Sequence, residues 1–296
     1  PQYGKVLTTL KRQTRKWINA TDSYNYLSND PIIDWMKINR IQPEHDLMTQ
    51  ELMKQGNKFE QLVLDRLRQR NILRVPTVSS NITEDSCKET IKLMSEGVPL
   101  IHSAPLVNAK NNTRGIADFL IRSDCLHNYF SNVPMDRIER YHKNIFSNSY
   151  YYIVIDVKFM TIKMKKDNKT PYKTPSINAY RNQLYIYNEA LGEIQGYTPK
   201  FAFLVGRQYD TASGREICYD SMLARIEFDE NDKNQFDHVS KWLRDVARNG
   251  TTWTITPSPS RSELFPNMCV STRWDVFKRV YANALNDVTQ IWMCGP

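Results

Sequence analysis

From about Glu44 to Arg70 the apolar residues Leu47, Met48, Leu52, Met53, Phe59, Leu62, Val63 and Leu67 return every three or four positions, the spacing that lays one apolar stripe along a helix. Gly56 predicts a break part-way along it, and Glu60 stands beside the stripe. Ile72 to Val78 and Leu100 to Val107 read as strands, and Thr83 to Gly97 between them as a helix opened by Thr83-x-Asp85. Gly115 to Ile121 alternates into a strand, Ser123 to Ser149 is polar and irregular, and Tyr151 to Phe159 is apolar enough for a central strand covered on both faces. A lysine-rich loop from Lys163 to Pro175 leads into helical spacing over Ile177 to Leu191, then a strand from Phe201 to Val205 that ends at Gly206-Arg207. The tail predicts a strand (Ala224 to Phe228), a helix (Asp232 to Arg248), a Pro/Ser-rich loop (Thr256 to Pro266) and a last helix (Thr272 to Trp292). Near the N-terminus, Asp30 is placed to cap a short helix with Pro31 at its first position.

This order, without an internal repeat or a domain-sized linker, predicts one mixed α/β domain over residues 1–296. Its core lies at about 50–205, with a helical N-terminal addition over 1–45 and a strand-and-helix extension over 206–296. No apolar run approaches the roughly 18 residues of a membrane span. Lys and Arg number 40 against 32 Asp and Glu, a net charge of +8, which leans towards a polyanion such as nucleic acid or serves solubility. The five cysteines are scattered with no C-x-x-C pair, arguing against zinc, an iron–sulfur cluster or a disulfide framework and for a reducing compartment. The chain opens on Pro1 with no charged-then-apolar leader, so an intracellular, unsecreted protein is expected. The five histidines form no H-E-x-x-H spacing and read as structural. Without a Gly-rich phosphate loop, neither a nucleotide-driven motor nor a dinucleotide enzyme is supported.

Strand alternation puts Asp156 and Lys158 on one face, roughly 6.6 Å apart along the chain. Charges on a central strand are costly unless paired or bound to a metal, so the two form an internal ion pair or define a site. Upstream, Asp118 closes a strand-like segment opened by Gly115, and downstream Gln183 and Tyr187 stand four apart on one helix face.

Gly56-x-x-x-Glu60, Gly115-Ile116-Ala117-Asp118, Asp156-Val157-Lys158 and Gln183-x-x-x-Tyr187, in that order on helix, strand, strand and helix, resemble the PD-(D/E)XK nuclease superfamily in its RecB-like and lambda-exonuclease-like branch. The resemblance covers about residues 50–205 and departs from the family's pattern at Ala117, at the second acid (Asp rather than Glu) and in the long 123–149 insertion. It implies a restriction-endonuclease-like core, a mixed sheet flanked by helices. It also implies one or two Mg²⁺ or Mn²⁺ ions held by Glu60, Asp118, Asp156 and the Val157 carbonyl, with no iron–sulfur cluster. Glu60, Asp118, Asp156 and Lys158 become the catalytic set, Lys158 orienting water and offsetting charge. Gln183, Tyr187 and Arg114 become supporting or strand-positioning groups, and Lys163, Lys165, Lys166, Lys169 and Lys173 a grip on the phosphate backbone.

The expected activity is metal-dependent DNA hydrolysis, more exonucleolytic than endonucleolytic, on single- or double-stranded DNA, in a homo-oligomer or beside a helicase and with no membrane partner. Two rivals stand: a structure-specific endonuclease of the same superfamily and a catalytically inactive nucleic-acid-binding module. The bland alternatives are a strand ion pair for Asp156 and Lys158, a turn cap for Asp118, a solvated Glu60, a core aromatic for Tyr187 and a solvated lysine loop. A composition rich in Asn, Lys, Ile and Tyr fits an AT-rich genome such as that of a large DNA virus.

Overall fold

The computed structural model describes residues 17–70, 75–136, 138–217, 219, 222–291 and 294. Along them run β1 (Ile18–Asn19), α1 (Ile32–Ile38), α2 (Leu47–Arg70), α3 (Glu84–Ser95), β2 (Leu100–Asn108), β3 (Thr113–Arg122), β4 (Tyr152–Lys163) and α4 (Pro175–Gln195), then β5 (Phe201–Thr211), β6 (Gly214–Glu216), β7 (Ala224–Glu227), α5 (Glu230–Asn249) and α6 (Asp275–Leu285). Local chemistry sets several of these ends. Thr83 accepts the Ser86 N–H at 3.1 Å to open α3, Thr174 accepts the Ile177 N–H at 3.1 Å to open α4, and Gly196, at φ 72°, closes α4 in the left-handed region that a Cβ disfavours.

The strands form one mixed, open seven-stranded sheet with helices packed against it. β2 runs antiparallel to β3 along its whole length, from Leu100↔Ile121 to Asn108↔Thr113. On the other edge of β3, β4 pairs antiparallel only over Arg122↔Tyr152 to Phe119↔Ile155, and β1 takes the same edge at Thr113 and Arg114. β3 and β4 therefore part after Phe119 and Ile155, and β4 continues parallel to β5 from Ile155↔Phe203. The residues next past the parting are Asp118 and Asp156.

One face of the sheet is closed by Leu184, Ile186 and Leu191 of α4 against Leu106, Leu120, Val154 and Leu204. The other is closed by Phe59, Val63, Leu64 and Leu67 of α2 against Phe119, Ile153, Ile155 and Phe203. A third cluster joins the two terminal additions through Ile32, Trp35 and Met36 of α1, Trp242 and Val246 of α5, Leu264 and Trp274. Among the described residues no helix is long and apolar enough to cross a membrane.

Several expectations need correction. α2 runs unbroken through Gly56, and the first half of its stripe is bare: Leu47 and Met48 are 71% and 72% exposed. Periodicity shows that a stripe exists and not what covers it; only the second half of α2 reaches the sheet, where the Phe59 ring meets Phe159 of β4 at 5.8 Å. Of the expected Ile72 to Val78 strand, residues 71–74 lie outside the described set, and Thr77 makes only an isolated bridge to His102.

The polar 123–149 stretch supplies core, burying Leu126, Tyr129, Phe130 and Met135. β5 does not stop at Gly206-Arg207, because past a register shift β4 and β5 pair again at Thr161↔Gln208 to Lys163↔Asp210, so Lys163 belongs to the strand. Asp30 does not cap α1 with its side chain; its carboxylate is buried 2.8 Å from Lys278 Nζ. The last helix ends at Leu285, where Asn286 turns left-handed at φ 51°. The basic residues Lys11, Arg12, Arg15 and Lys16, together with Cys218 and Trp292, lie outside the described residues.

Candidate active site

The parting of β3 from β4 creates the site. Asp118, with no strand partner on that edge, turns its Oδ2 to accept the Val157 N–H at 2.6 Å. Asp156, wholly buried, lies with Oδ2 2.7 Å from Lys158 Nζ, as strand alternation requires of residues two apart. Its Oδ1 has no hydrogen-bond partner. Lys158, 18% exposed, also sits over the Tyr180 ring at 4.9 Å, and Tyr180 in turn meets Tyr24 at 6.2 Å.

α4 lies over this fork. Gln183 Nε2 donates to the Tyr187 hydroxyl at 2.8 Å, the contact that a four-residue spacing permits. The Tyr187 ring fits only because Gly115 has no side chain: a Cβ there would collide with the ring and crowd Ala20. Burial pushes the Tyr187 phenol well above its ordinary pKa, and the Asp156 charge adds to this while Lys158 opposes it.

Glu60 reaches the fork from α2, on the opposite side. Its Oε1 lies 3.0 Å from His102 Nε2, and His102 Nδ1 lies 2.9 Å from Thr77 Oγ1. The His102 ring is nearly buried and packs 5.1 Å from that of Phe119, the last β3 residue before the fork. His102 was expected to be merely structural. The available signal was a titratable residue inside the apolar Leu100 to Val107 run, but one sequence does not say which carboxylate it meets.

Electrostatically, Asp118 stands within the fields of Asp156, Lys158 and Glu60. Burial raises the Asp118 carboxyl well above the usual carboxylate range, and the charges of Asp156 and Glu60 push it further, against Lys158 and the Val157 N–H. Burial works against the Lys158 ammonium, yet Asp156 and Asp118 outweigh it and hold its pKa above the ordinary lysine value. Three carboxyl groups against one ammonium leave the fork with an excess of negative charge.

No family model matches this chain, and no curated protein does either. What the fork can do follows from its own residues. Its oxygens are hard donors of the kind that suit Mg²⁺ or Mn²⁺, and the negative excess with an unpartnered Asp156 oxygen fits such an ion. Among the described residues no three His, Cys, Asp or Glu side chains converge as a ready-made cage. Each carboxylate is instead held by a protein group, namely Lys158, the Val157 N–H and His102.

Other expected residues are placed elsewhere. Arg114 does not join the carboxylates; its Nε donates to Asn19 Oδ1 at 2.9 Å, where β1 pairs with β3. Val157 contributes its N–H to the fork and buries its side chain on the α2 face. Lys163 ends β4, while Lys165, Lys166, Lys169 and Lys173 stand exposed on the turn that follows. That turn is built by Asp167, which accepts the Lys169 and Thr170 N–H groups at 2.9 Å.

Proposed function

We propose that the chain is a divalent-metal-dependent deoxyribonuclease with a restriction-endonuclease-like core of the PD-(D/E)XK type, acting as an exonuclease that leaves 5′-phosphate and 3′-hydroxyl ends. The observation that carries the reading is the fork itself: Asp118 and Asp156 on two parting strands, Lys158 ion-paired to Asp156, and Glu60 close enough to raise the Asp118 carboxyl. Glu60, Asp118, Asp156 and the Val157 carbonyl would hold Mg²⁺ or Mn²⁺. When bound, the ion lowers the pKa of water and neutralises charge on the scissile phosphate.

The chain's own groups supply the rest. Lys158 stays protonated, so its ammonium can donate to the attacking water and offset the negative charge on the phosphoryl oxygens as the water oxygen bonds to phosphorus and the 3′-oxygen leaves. The proton that the water gives up is balanced by the one that the 3′-oxygen gains. Asp156 and the Tyr180 ring fix where that ammonium stands. The Gln183–Tyr187 pair supports the fork from α4 and keeps that side dry.

The test is digestion of end-labelled single-stranded, duplex and circular DNA with Mg²⁺ or Mn²⁺. Wild type should release nucleotides from ends, and Asp156→Ala or added chelator should stop it. Equal activity of wild type and variant, or activity untouched by chelator, overturns the assignment. Nicking of circles with no release from ends would move it to the endonuclease reading.

A further inference from the structure

We propose that His102 is a positioning residue for Glu60, holding that carboxylate at the strand fork in the orientation from which it serves a divalent cation; the inference rests on the metal-site reading above. Glu60 stands on a helix whose first half leaves its apolar stripe exposed, and its side chain is 33% exposed. Left alone, such a side chain keeps its rotamer freedom, and ordering it opposes ion binding. Here it is not left alone.

The contacts behind it have a single consistent direction. A carboxylate only accepts, so His102 Nε2, 3.0 Å from Glu60 Oε1, carries the ring's proton. In the neutral ring Nδ1 is then an acceptor, and Thr77 Oγ1, 2.9 Å away, donates its hydroxyl proton to it. The same Thr77 oxygen accepts from Arg68 Nη2 at 3.3 Å, so each contact in the chain Arg68, Thr77, His102, Glu60 has one donor and one acceptor.

The backbone clamps this arrangement around the ring. The His102 N–H donates to the Pro76 carbonyl at 2.9 Å, and the Val78 N–H donates to the His102 carbonyl at 3.0 Å, so the segment bearing Thr77 is laced to β2 on both sides of it. Phe119 closes one side of the ring. A staple between α2 and the sheet would need only the contact; this contact ends on the carboxylate whose charge acts on Asp118. Groups that hydrogen-bond a metal-ligating carboxylate set its orientation, and their loss commonly weakens ion binding about 10–100-fold.

Calorimetric Mn²⁺ titration of the full chain tests this. His102→Ala should weaken Mn²⁺ binding about 10–100-fold; His102→Gln, whose amide N–H can donate from the Nε2 position, should restore most of it; and Thr77→Val, which keeps the ring but removes the hydroxyl behind it, should show a smaller loss. In a Glu60→Ala background His102→Ala should add no further loss, because its effect runs through Glu60. A folded His102→Ala that binds Mn²⁺ as wild type does, or losses that multiply in the double variant, overturns the proposal while leaving the nuclease reading standing. Should His102→Ala fail to melt cooperatively, wild-type affinity in Thr77→Val together with no restoration in His102→Gln overturns it equally. Wild type that takes up no Mn²⁺, or Asp156→Asn that takes it up unchanged, sinks both.

Discussion

Lys278 and Lys158 each pair with a buried aspartate, and the two pairs are built differently. In the cluster that joins the terminal additions, Lys278 is wholly buried and its ammonium reaches Asp30 Oδ2 and the Asn267 and Val270 carbonyls, each at 2.8 Å. Those acceptors use its three protons. At the fork, Lys158 has Asp156 as its ion-pair partner, an aromatic ring below it and 18% of its side chain open. An unpartnered carboxylate oxygen does not separate the two, since Asp30 Oδ1 has no hydrogen bond either. What separates them is saturation and charge: a filled ammonium in a sealed core is a fastener, whereas the Lys158 ammonium has donors to spare beside Asp156 and Asp118, the carboxylates that the proposed metal reading gives to a cation.

The largest effect should come from exchanging the damage between the two pairs. Asp156→Asn should lower cleavage by more than about 10³-fold, roughly 4 kcal/mol of barrier, while the melting temperature stays close to wild type. Lys278→Met should do the reverse, destabilising the fold by about 3–5 kcal/mol because Asp30 is left buried without its partner, yet the molecules that remain folded should cleave normally. Activity assays paired with thermal melts read both. If Lys278→Met abolished cleavage in folded protein, the distinction between fastener and site would fail.

Lys158→Met comes next. Asp118, Asp156 and Glu60 remain, so Mn²⁺ binding by calorimetry should persist, while kcat falls about 10²–10³-fold, the usual result of removing one charge-stabilising donor. A smaller loss is expected of Gly115→Ala. The new methyl group must displace the Tyr187 ring, and such overpacking costs about 1–3 kcal/mol. Cleavage should drop with it, because the displaced ring lies against the fork; a Gly115→Ala protein of unchanged stability and rate would show that the close approach of β3 to α4 matters to neither.

The parts of this comparison that were legible in the sequence are those set by short spacing. Residues two apart on a strand share a face, so the Asp156–Lys158 contact could be expected; residues four apart on a helix share a face, so the Gln183–Tyr187 bond could be too. The contacts that give these pairs their meaning join distant residues. His102 meets Thr77 and Glu60 across 25 and 42 positions, Arg114 is drawn to Asn19 across 95, and Lys278 finds Asp30 across 248. Periodicity carries none of this, because it records which face a residue occupies and not what is packed on that face. The same blindness left the bare half of α2 and the core residues of the 123–149 stretch unread. The parting of β3 from β4 was hidden for a related reason: each strand's own pattern continues past the point where their pairing stops.

The smallest prediction separates the two clusters by pH. Burial pushes the Asp30 carboxyl from 3.8 up to about 6 despite Lys278, so between those values the folded protein binds a proton that the unfolded chain does not. A raised folded-state pKa on an acid gives a stability contribution that is complete below about 4 and is lost as pH rises through 6. Going from pH 7 to pH 5 it should therefore add about 1 kcal/mol, opposite in sign to the ordinary loss of carboxylate ion pairs in acid. Stability measured by urea unfolding against pH for wild type and Asp30→Asn isolates it, because carboxylates elsewhere, Asp118 included, titrate alike in both. The difference curve should begin to rise as pH falls through about 6 and level off below about 4. A flat difference would mean that Lys278 compensates the Asp30 charge in full, and the terminal fastener would then be a more complete pair than its burial implies.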